Sequence, residues 1–178
     1  MLMDPTLGGV IERWRAGDRD AFEEVMDRYG LQLLRTARLI LRDPSLAEDA
    51  IQETFLKAWQ RIGSLRDEDP GPWLTRIAMN ESISLYRRRH RFQALTERFG
   101  RLGGSKHELP SEERLDLARA LEQLTPEQRA TVALHYYQDL SVEETARIIR
   151  VPVDTVKSRL KTALRRLREV TGAEEALA

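Results

Sequence analysis

Cationic and hydroxyl side chains are concentrated in residues 153–168, between apolar residues that recur every three or four positions. That spacing predicts a helix with one apolar stripe and a polar face around it. Such a face suits the major groove of DNA, because long cations bind phosphates and guanine edges while short hydroxyls bind several base edges. The candidate DNA-binding side chains are Thr155, Lys157, Ser158, Arg159, Lys161, Thr162 and Arg165.

A shorter helix precedes this one, and the two together form a predicted helix-turn-helix. Ser141 and Glu144 form a capping box that opens the first helix, which continues to Ile149. The tight turn 150–152 separates the helices. Residues 150–168 carry seven basic residues and one acidic residue. This charge favours a DNA-binding unit over the alternative, an ordinary helical hairpin with a solvated, charged surface.

A second basic segment, residues 72–91, combines an aromatic residue with a cluster of arginines. Trp73 stands near its start, and the cluster stands at its end. Aromatic rings stack on unpaired bases while arginines hold phosphates, and Asn80 in mid-helix has the groups to bind a base edge. The alternatives are a core position for Trp73, which we favour for the tryptophan alone, solvated arginines, and a solvent-facing Asn80. The arginines of the cluster are Arg87, Arg88 and Arg89.

A third segment, residues 48–59, predicts an amphipathic helix with an acidic face. Asp49, Gln52, Glu53 and Lys57 recur at three- and four-residue spacing, opposite an apolar stripe that includes Phe55 and Trp59. Such a helix buries one face and offers the other to a basic partner; the alternative is a surface helix without a partner. A capping box of Ser45 and Glu48 is expected to begin it.

Composition excludes several functional classes. The chain has 178 residues, with 29 basic and 29 acidic, and 41% hydrophobic residues suffice for a core. It has no cysteine, which excludes disulfides, thiolate zinc sites and cysteine nucleophiles. The three histidines have no metal-ligand spacing, and phosphate-loop and nucleophile-elbow motifs are missing. We therefore predict no catalytic residue, no metal and no cofactor. Without a transmembrane run or a signal peptide, we expect a soluble, cytoplasmic protein.

Helical periodicity recurs throughout the chain, while strand alternation and hairpin turns are missing. Thr125 and Gln128 form a further capping box, with Pro126 at the first helical position. Residues 93–110 lose the periodic pattern and contain three glycines and a proline, as inter-domain linkers do. The predicted fold class is therefore all-α, with two small helical domains joined by a flexible linker.

In this order, the segments resemble a bacterial RNA polymerase sigma factor of the extracytoplasmic-function (ECF) group. The resemblance covers about residues 18–92 and 112–170, and its strength lies in four collinear matches. They are AEDAIQETFLKAW (47–59), PWLTRIAMN (72–80), LTPEQRATVALHYYQDLSVEETARII (124–149) and VPVDTVKSRL (151–160).

The resemblance implies a domain for residues 1–92, a linker for 93–111 and a second domain for 112–178. The first domain would bind the clamp coiled coil of core RNA polymerase. It would also recognise the melted −10 element and capture an extruded base through the loop 63–71 and the following helix, with Asn80 the best single candidate. The second would read the −35 duplex. The polymerase contacts implied are Asp49, Gln52 and Glu53, and the −35 contacts include Lys157, Ser158, Arg159 and Lys161.

Three further expectations follow from the resemblance. The partners are core polymerase, promoter DNA and an anti-sigma protein, with no membrane insertion by the chain itself. Arg150 occupies a turn position that is often glycine, so a positive φ there would be strained. Ser84 and Lys161-Thr162 also depart from the family pattern, at the end of the −10 helix and among the −35 contacts.

The alternative function is a stand-alone helix-turn-helix regulator, which explains residues 141–168 but not 48–59. A small enzyme or an adaptor ranks third.

Overall fold

The computed structural model describes residues 5–67, 69–98 and 120–171, and in these ranges it contains helices and turns but no strand. The chain divides into two compact units, residues 1–85 and 86–178, and the division falls inside a long helix. The α-helices are α1 (Pro5–Arg15), α2 (Arg19–Leu41), α3 (Pro44–Gln60), α4 (Gly71–Arg98), α5 (Pro126–Val132), α6 (Val142–Ile149) and α7 (Val153–Thr171).

Two helices of the first unit, α2 and α3, begin at acidic caps. The carboxylate of Asp18 accepts the amide N–H groups of Asp20 and Ala21 at the start of α2. Asp43 accepts the N–H of Leu46 at the start of α3, with Pro44 in the first turn. The predicted capping box of Ser45 and Glu48 is therefore wrong. The cap lies two residues earlier because proline suits the first helical position and aspartate is an equally good cap.

Aromatic residues from the four helices form the core of the first unit. Trp14 of α1 is 1% exposed, and its ring centroid lies 5.0 Å from that of Phe22 and 6.2 Å from that of Trp73. Phe22 in turn contacts Phe55 and Trp59 of α3 edge-on. Tilted and edge-on pairs are favourable arrangements for aromatic rings, and they join α1, α2, α3 and the start of α4.

The helix predicted for residues 72–91 is longer than expected and extends to Arg98. Its last residues therefore overlap the predicted linker, residues 93–111. The rest of that linker, residues 99–111, lies outside the described part of the chain. So do residues 112–119, at the start of the predicted second domain.

The second unit contains the predicted helix-turn-helix. Thr125 and Gln128 form the predicted capping box at the start of α5, and Ser141 and Glu144 form the other at the start of α6. A turn of π-helix, Ala133–Tyr137, continues α5. Ala146 of α6 and Val156 and Leu160 of α7 form a buried apolar cluster, as the apolar stripes predicted.

None of the helices within the described ranges is long and apolar enough to cross a membrane.

Candidate nucleic-acid and partner interfaces

The turn of the helix-turn-helix is set by a left-handed residue. Arg150, directly after α6, has φ 54° and ψ 52°, and Val151 donates its N–H to the carbonyl of Ala146. This closes α6 and reverses the chain within three residues, so that α7 begins at Val153. Arg150 thus has the positive φ that would be strained for an arginine, and the sharp turn requires it.

The exposed face of α7 carries the predicted DNA-binding residues. At about 100° per residue, Ser158, Lys161 and Arg165 lie opposite the buried Val156 and Leu160. All three are exposed, so a duplex lying along α7 would meet a hydroxyl and two cations. Arg165 also forms an exposed ion pair with Glu169 at 2.9 Å, which screens part of its charge.

The other predicted residues of α7 lie toward the edges of this face. Lys157 is exposed along one edge, whereas Arg159 is half-buried along the other. Thr155 is half-buried in the first turn, where its N–H donates to the carbonyl of Pro152 at 2.9 Å. Lys157 therefore remains available to a partner, while Thr155 and Arg159 expose only part of their side chains.

One arginine of α7 has a role that the sequence did not reveal. Arg166 donates from Nη1 to the carbonyl of Gln123 at 2.8 Å and to Oε1 of Gln128 at 3.2 Å. It therefore anchors α7 to the segment that leads into α5. Its acceptors lie about 40 positions earlier in the chain and leave no local signature.

The basic segment at the end of α4 does not present all its predicted residues on one side. Asn80, Arg87 and Arg88 are exposed and, with Ser84, form a stripe along the helix. Arg89 lies about half a turn away from Asn80 and is half-buried. Asn80, Arg87 and Arg88 therefore share one face of α4, and Arg89 does not.

Trp73 requires a correction. It is 7% exposed and lies against Trp14 in the core, which is the alternative left open from the sequence. Its ring is not available for stacking on an unpaired base, so we remove it from the candidate DNA-binding residues. Its large ring contributes buried apolar area to the core instead.

Within the second unit, one of the exposed arginines is paired. Arg87 lies 2.5 Å from Glu127 of α5. Although burial raises the pKa of the Glu127 carboxyl, its hydrogen bonds with its own amide N–H, Thr125 and Arg87 hold the pKa below the usual value. Glu127 therefore stays charged at neutral pH, and Arg87 must leave this pair before it binds phosphate.

The acidic face of α3 is present but only partly free. Asp49 and Gln52 are exposed, while Glu53 is half-buried and its Oε1 lies 3.2 Å from Nζ of Lys57. Lys57 also lies 2.6 Å from Glu81 of α4. The hydrogen bond with Glu81 raises the pKa of Lys57, and Glu53 adds to this effect. Glu53 thus belongs to an ion network that joins α3 to α4.

An apolar groove that sequence patterning missed lies beside this face, between α2 and α3. Met26 and Leu31 of α2 and Leu56 of α3 are 37%, 58% and 58% exposed along it. Its volume, about 1170 Å³, exceeds the roughly 300–1,000 Å³ of small-molecule pockets. Leu31 and Leu56 fall off the apolar stripes, which is why periodicity gave them no role. The groove has a polar rim formed by Arg19, Glu23, Asp27 and Gln52.

The described part of the chain contains no group of three or more histidine, aspartate or glutamate side chains that could hold a metal ion.

Comparison with known proteins identifies the family to which this chain belongs. Residues 25–92 match Sigma-70 region 2, and residues 114–167 match Sigma-70, region 4. The chain is 36% identical over 160 residues to the ECF RNA polymerase sigma factor SigM of Mycobacterium tuberculosis, covering 88% of this chain and 80% of SigM. It is 33% identical over 160 residues to SigL of the same organism, covering 86% of this chain and 90% of SigL.

A solved structure extends the comparison to three dimensions. The sigma factor RpoE of Bartonella quintana, in a co-crystal with the anti-sigma factor NepR, is 26% identical, with a TM-score of 0.70. The match covers 86% of this chain and 98% of RpoE. The chain therefore belongs to the ECF sigma factors, the promoter-specificity subunits of RNA polymerase.

Proposed function

We propose that this protein binds core RNA polymerase and directs initiation by recognising a −35 duplex and a melted −10 element. The observation that carries the proposal is the occurrence, in one chain, of a cationic recognition helix, a separate polar and basic stripe on α4, and an apolar groove with an acidic flank. A regulator that only bound duplex DNA would need the first of these surfaces and neither of the others.

The −35 element is read by α7. Ser158, Lys161 and Arg165 face outward from the helix-turn-helix, and Lys157 stands at the edge of that face. Hydroxyl and cationic side chains bind base edges and phosphates in the major groove. Arg159 and Thr155, being half-buried, contribute through the parts of their side chains that remain exposed.

The −10 element is bound by α4 and the loop that precedes it. Asn80 is the residue that binds a base edge, because its side-chain amide both donates and accepts and its side chain is exposed. Arg87 and Arg88 follow on the same stripe and neutralise phosphates. The loop 63–71 captures the extruded base; within it, Glu68 lies outside the described residues.

Core polymerase binds α3 and the groove beside it. The partner is the clamp coiled coil of the polymerase large subunit, whose helices match a groove with exposed leucines on both walls. Asp49 and Gln52 supply the polar contacts next to Leu56. Glu53 adds charge to this face while it holds Lys57.

The domain bounds, the regulator and the location complete the proposal. Residues 1–92 serve the polymerase and the −10 element, residues 93–111 form the linker, and residues 112–178 serve the −35 element. The chain guides polymerase without a catalytic step, metal or cofactor of its own. It acts in the cytoplasm, where polymerase and chromosome are, and it has no membrane insertion of its own.

An anti-sigma protein holds it inactive, in line with the co-crystal of RpoE with NepR.

Co-purification with core RNA polymerase, followed by run-off transcription on a randomised promoter library, tests this function. We expect a stable complex that initiates from a selected set of promoters sharing a −35 and a −10 sequence. Core polymerase alone is the control and should show no selection. Absence of polymerase binding together with tight duplex binding by the free protein would overturn the proposal in favour of a stand-alone regulator.

A further inference from the structure

The loop between α3 and α4 is held at both ends by side chains from other helices. Arg15 of α1 donates from Nη2 to the carbonyl of Leu65 at 3.0 Å, near the start of the loop. Tyr29 of α2 donates its hydroxyl to Oδ1 of Asp69 at 2.9 Å, where the loop ends. The leucine side chain is buried as well, at 4% exposure. Between these two points Arg66 and Asp67 are exposed.

The contact of Tyr29 with Asp69 continues into the first residue of α4. The same Oδ1 atom accepts the amide N–H of Gly71 at 2.8 Å. One carboxylate oxygen thus joins a phenol of α2 to the backbone of α4. Pro70 then accepts the N–H of Leu74 at 2.8 Å, the first hydrogen bond along α4. The end of the loop and the start of α4 therefore take their position from Tyr29.

Because Gly71 has no side chain, the ring of Tyr29 and the carboxylate of Asp69 can both lie close to its backbone. A Cβ atom at this position would lie 2.9 Å from Cε1 of Tyr29, closer than real Cβ contacts, and 3.0 Å from Oδ1 of Asp69, which is tighter than most. Any other residue at this position would displace either the phenol ring or the carboxylate. Burial and the neighbouring Asp69 raise the pKa of the phenol, with Arg28 acting in the opposite direction, so the hydroxyl remains protonated and donates.

We propose that Tyr29 is a positioning residue for −10 recognition, because it holds Asp69 and the start of α4 in place before a base is extruded beside them. Arg15 holds the other end of the loop in the same way. This inference rests on the proposed function. Unstacking a base costs free energy, and a loop that also had to be ordered at that moment would add the cost of its own conformational entropy. Holding Leu65 and Asp69 in place beforehand reduces this second cost.

The test uses Tyr29→Phe, which keeps the ring in place and removes only the hydroxyl. Its matched control is Tyr136→Phe, which removes a hydroxyl from an exposed tyrosine of the second unit. Three quantities are measured for each holoenzyme. They are the affinity for core polymerase, the affinity for −35 duplex DNA, and the affinity for a fork-junction DNA with the −10 sequence that the wild-type holoenzyme selects from a randomised library.

We expect Tyr29→Phe to lower fork-junction affinity about five- to tenfold, since a hydrogen bond to a charged group is lost, and to leave the other two affinities unchanged. Tyr136→Phe should change none of them. A uniform loss of all three affinities would indicate a general folding defect and would overturn the positioning role.

Amide hydrogen exchange of Gly71 in the free protein tests the anchor separately from the function. We expect its exchange to become several-fold faster in Tyr29→Phe, because the carboxylate that holds the amide is no longer fixed. Unchanged exchange would overturn the anchor. Faster exchange with full fork-junction affinity would overturn the role in recognition. A wild-type holoenzyme that selected no −10 sequence would instead remove the proposed function itself, whatever the exchange rate.

Discussion

Nζ of Lys57 in α3 lies 2.6 Å from Oε2 of Glu81 in α4, so an ion pair joins the helix assigned to polymerase with the helix assigned to the −10 element. Glu81 follows Asn80 directly in the chain. The lysine is 27% exposed and the glutamate 18%, so water screens this pair less than the exposed pair of Arg38 and Glu48. The contact keeps the orientation of α4 tied to that of α3.

Replacing Glu81 by Gln should lower the free energy of unfolding by about 1 kcal/mol, because a half-buried ion pair is lost. The matched change Glu48→Gln, at an exposed pair, should cost only a few tenths of a kcal/mol. Urea unfolding measures both. Because Glu81 raises the pKa of Lys57 above its ordinary 10.5, its stabilising contribution is fully present below pH 10.5. It is lost as the pH rises through the folded-state pKa, so the two proteins should converge at strongly alkaline pH. A difference that persisted there would contradict the ion-pair assignment.

Leu56→Ser should weaken binding to core polymerase about tenfold, because a large apolar side chain in the groove no longer contacts the partner. Leu56 is 58% exposed in the free protein, so its loss should leave stability nearly unchanged. Phe92→Ser removes an equally exposed apolar side chain of α4, 67% exposed, and should not affect polymerase binding. Titration of labelled protein with core polymerase measures the change. Equal affinities for the two variants would rule out the groove as the polymerase contact.

Asn80→Ala should reduce initiation about tenfold and relax the preference for one base of the −10 element, since a good amide contact discriminates bases by about 1–3 kcal/mol. Ser84→Ala alters an exposed residue one turn further along the same stripe and should have a much smaller effect. Run-off transcription from templates with each of the four bases at every −10 position gives the result. A uniform loss over all templates would argue against base recognition by Asn80.

Lys157→Ala should weaken −35 duplex binding several-fold, and the slope of log affinity against log salt should fall by about 1, because one phosphate contact is lost. The control is Arg35→Ala, which removes an exposed cation from the first unit. Fluorescence anisotropy of each variant holoenzyme on −35 duplex DNA, at several salt concentrations, gives the affinity and its salt slope. An unchanged slope for Lys157→Ala would mean that the lysine does not contact a phosphate.

Arg150→Gly should stabilise the protein by roughly 0.5–1 kcal/mol, because glycine adopts the left-handed conformation without the cost that an arginine bears. The same change at Arg147, an exposed residue inside α6, should destabilise by about 1 kcal/mol. Thermal unfolding compares the two variants. A loss of stability in Arg150→Gly would count against strain at this turn.

The helix-turn-helix could be predicted from the sequence because its signals are local. The capping box of Ser141 and Glu144 and the stripe through Val156 and Leu160 each lie within a few residues, and the structure confirms both. The start of α3 was predicted less well because Asp43 and Ser45 compete as caps over three residues, and only the structure decides between them.

Contacts between distant residues could not be predicted in this way. Arg166 reaches Gln123, and Tyr29 reaches Asp69, across about 40 residues, and no pattern in a single sequence records such pairs. The groove was missed for a related reason. Leu31 and Leu56 fall outside the apolar stripes, and they line the same groove only because of how α2 and α3 pack.

The crowding of Tyr29, Asp69 and Gly71 also restricts how the sequence of this chain can diverge. A change of Gly71 to alanine alone would place a methyl group against the phenol ring, so it becomes tolerable only after position 29 takes a smaller residue. That smaller residue would no longer carry the hydroxyl that Asp69 accepts, and the carboxylate would lose one of its two donors. The three positions should therefore change together among homologues, as one linked substitution rather than three independent ones.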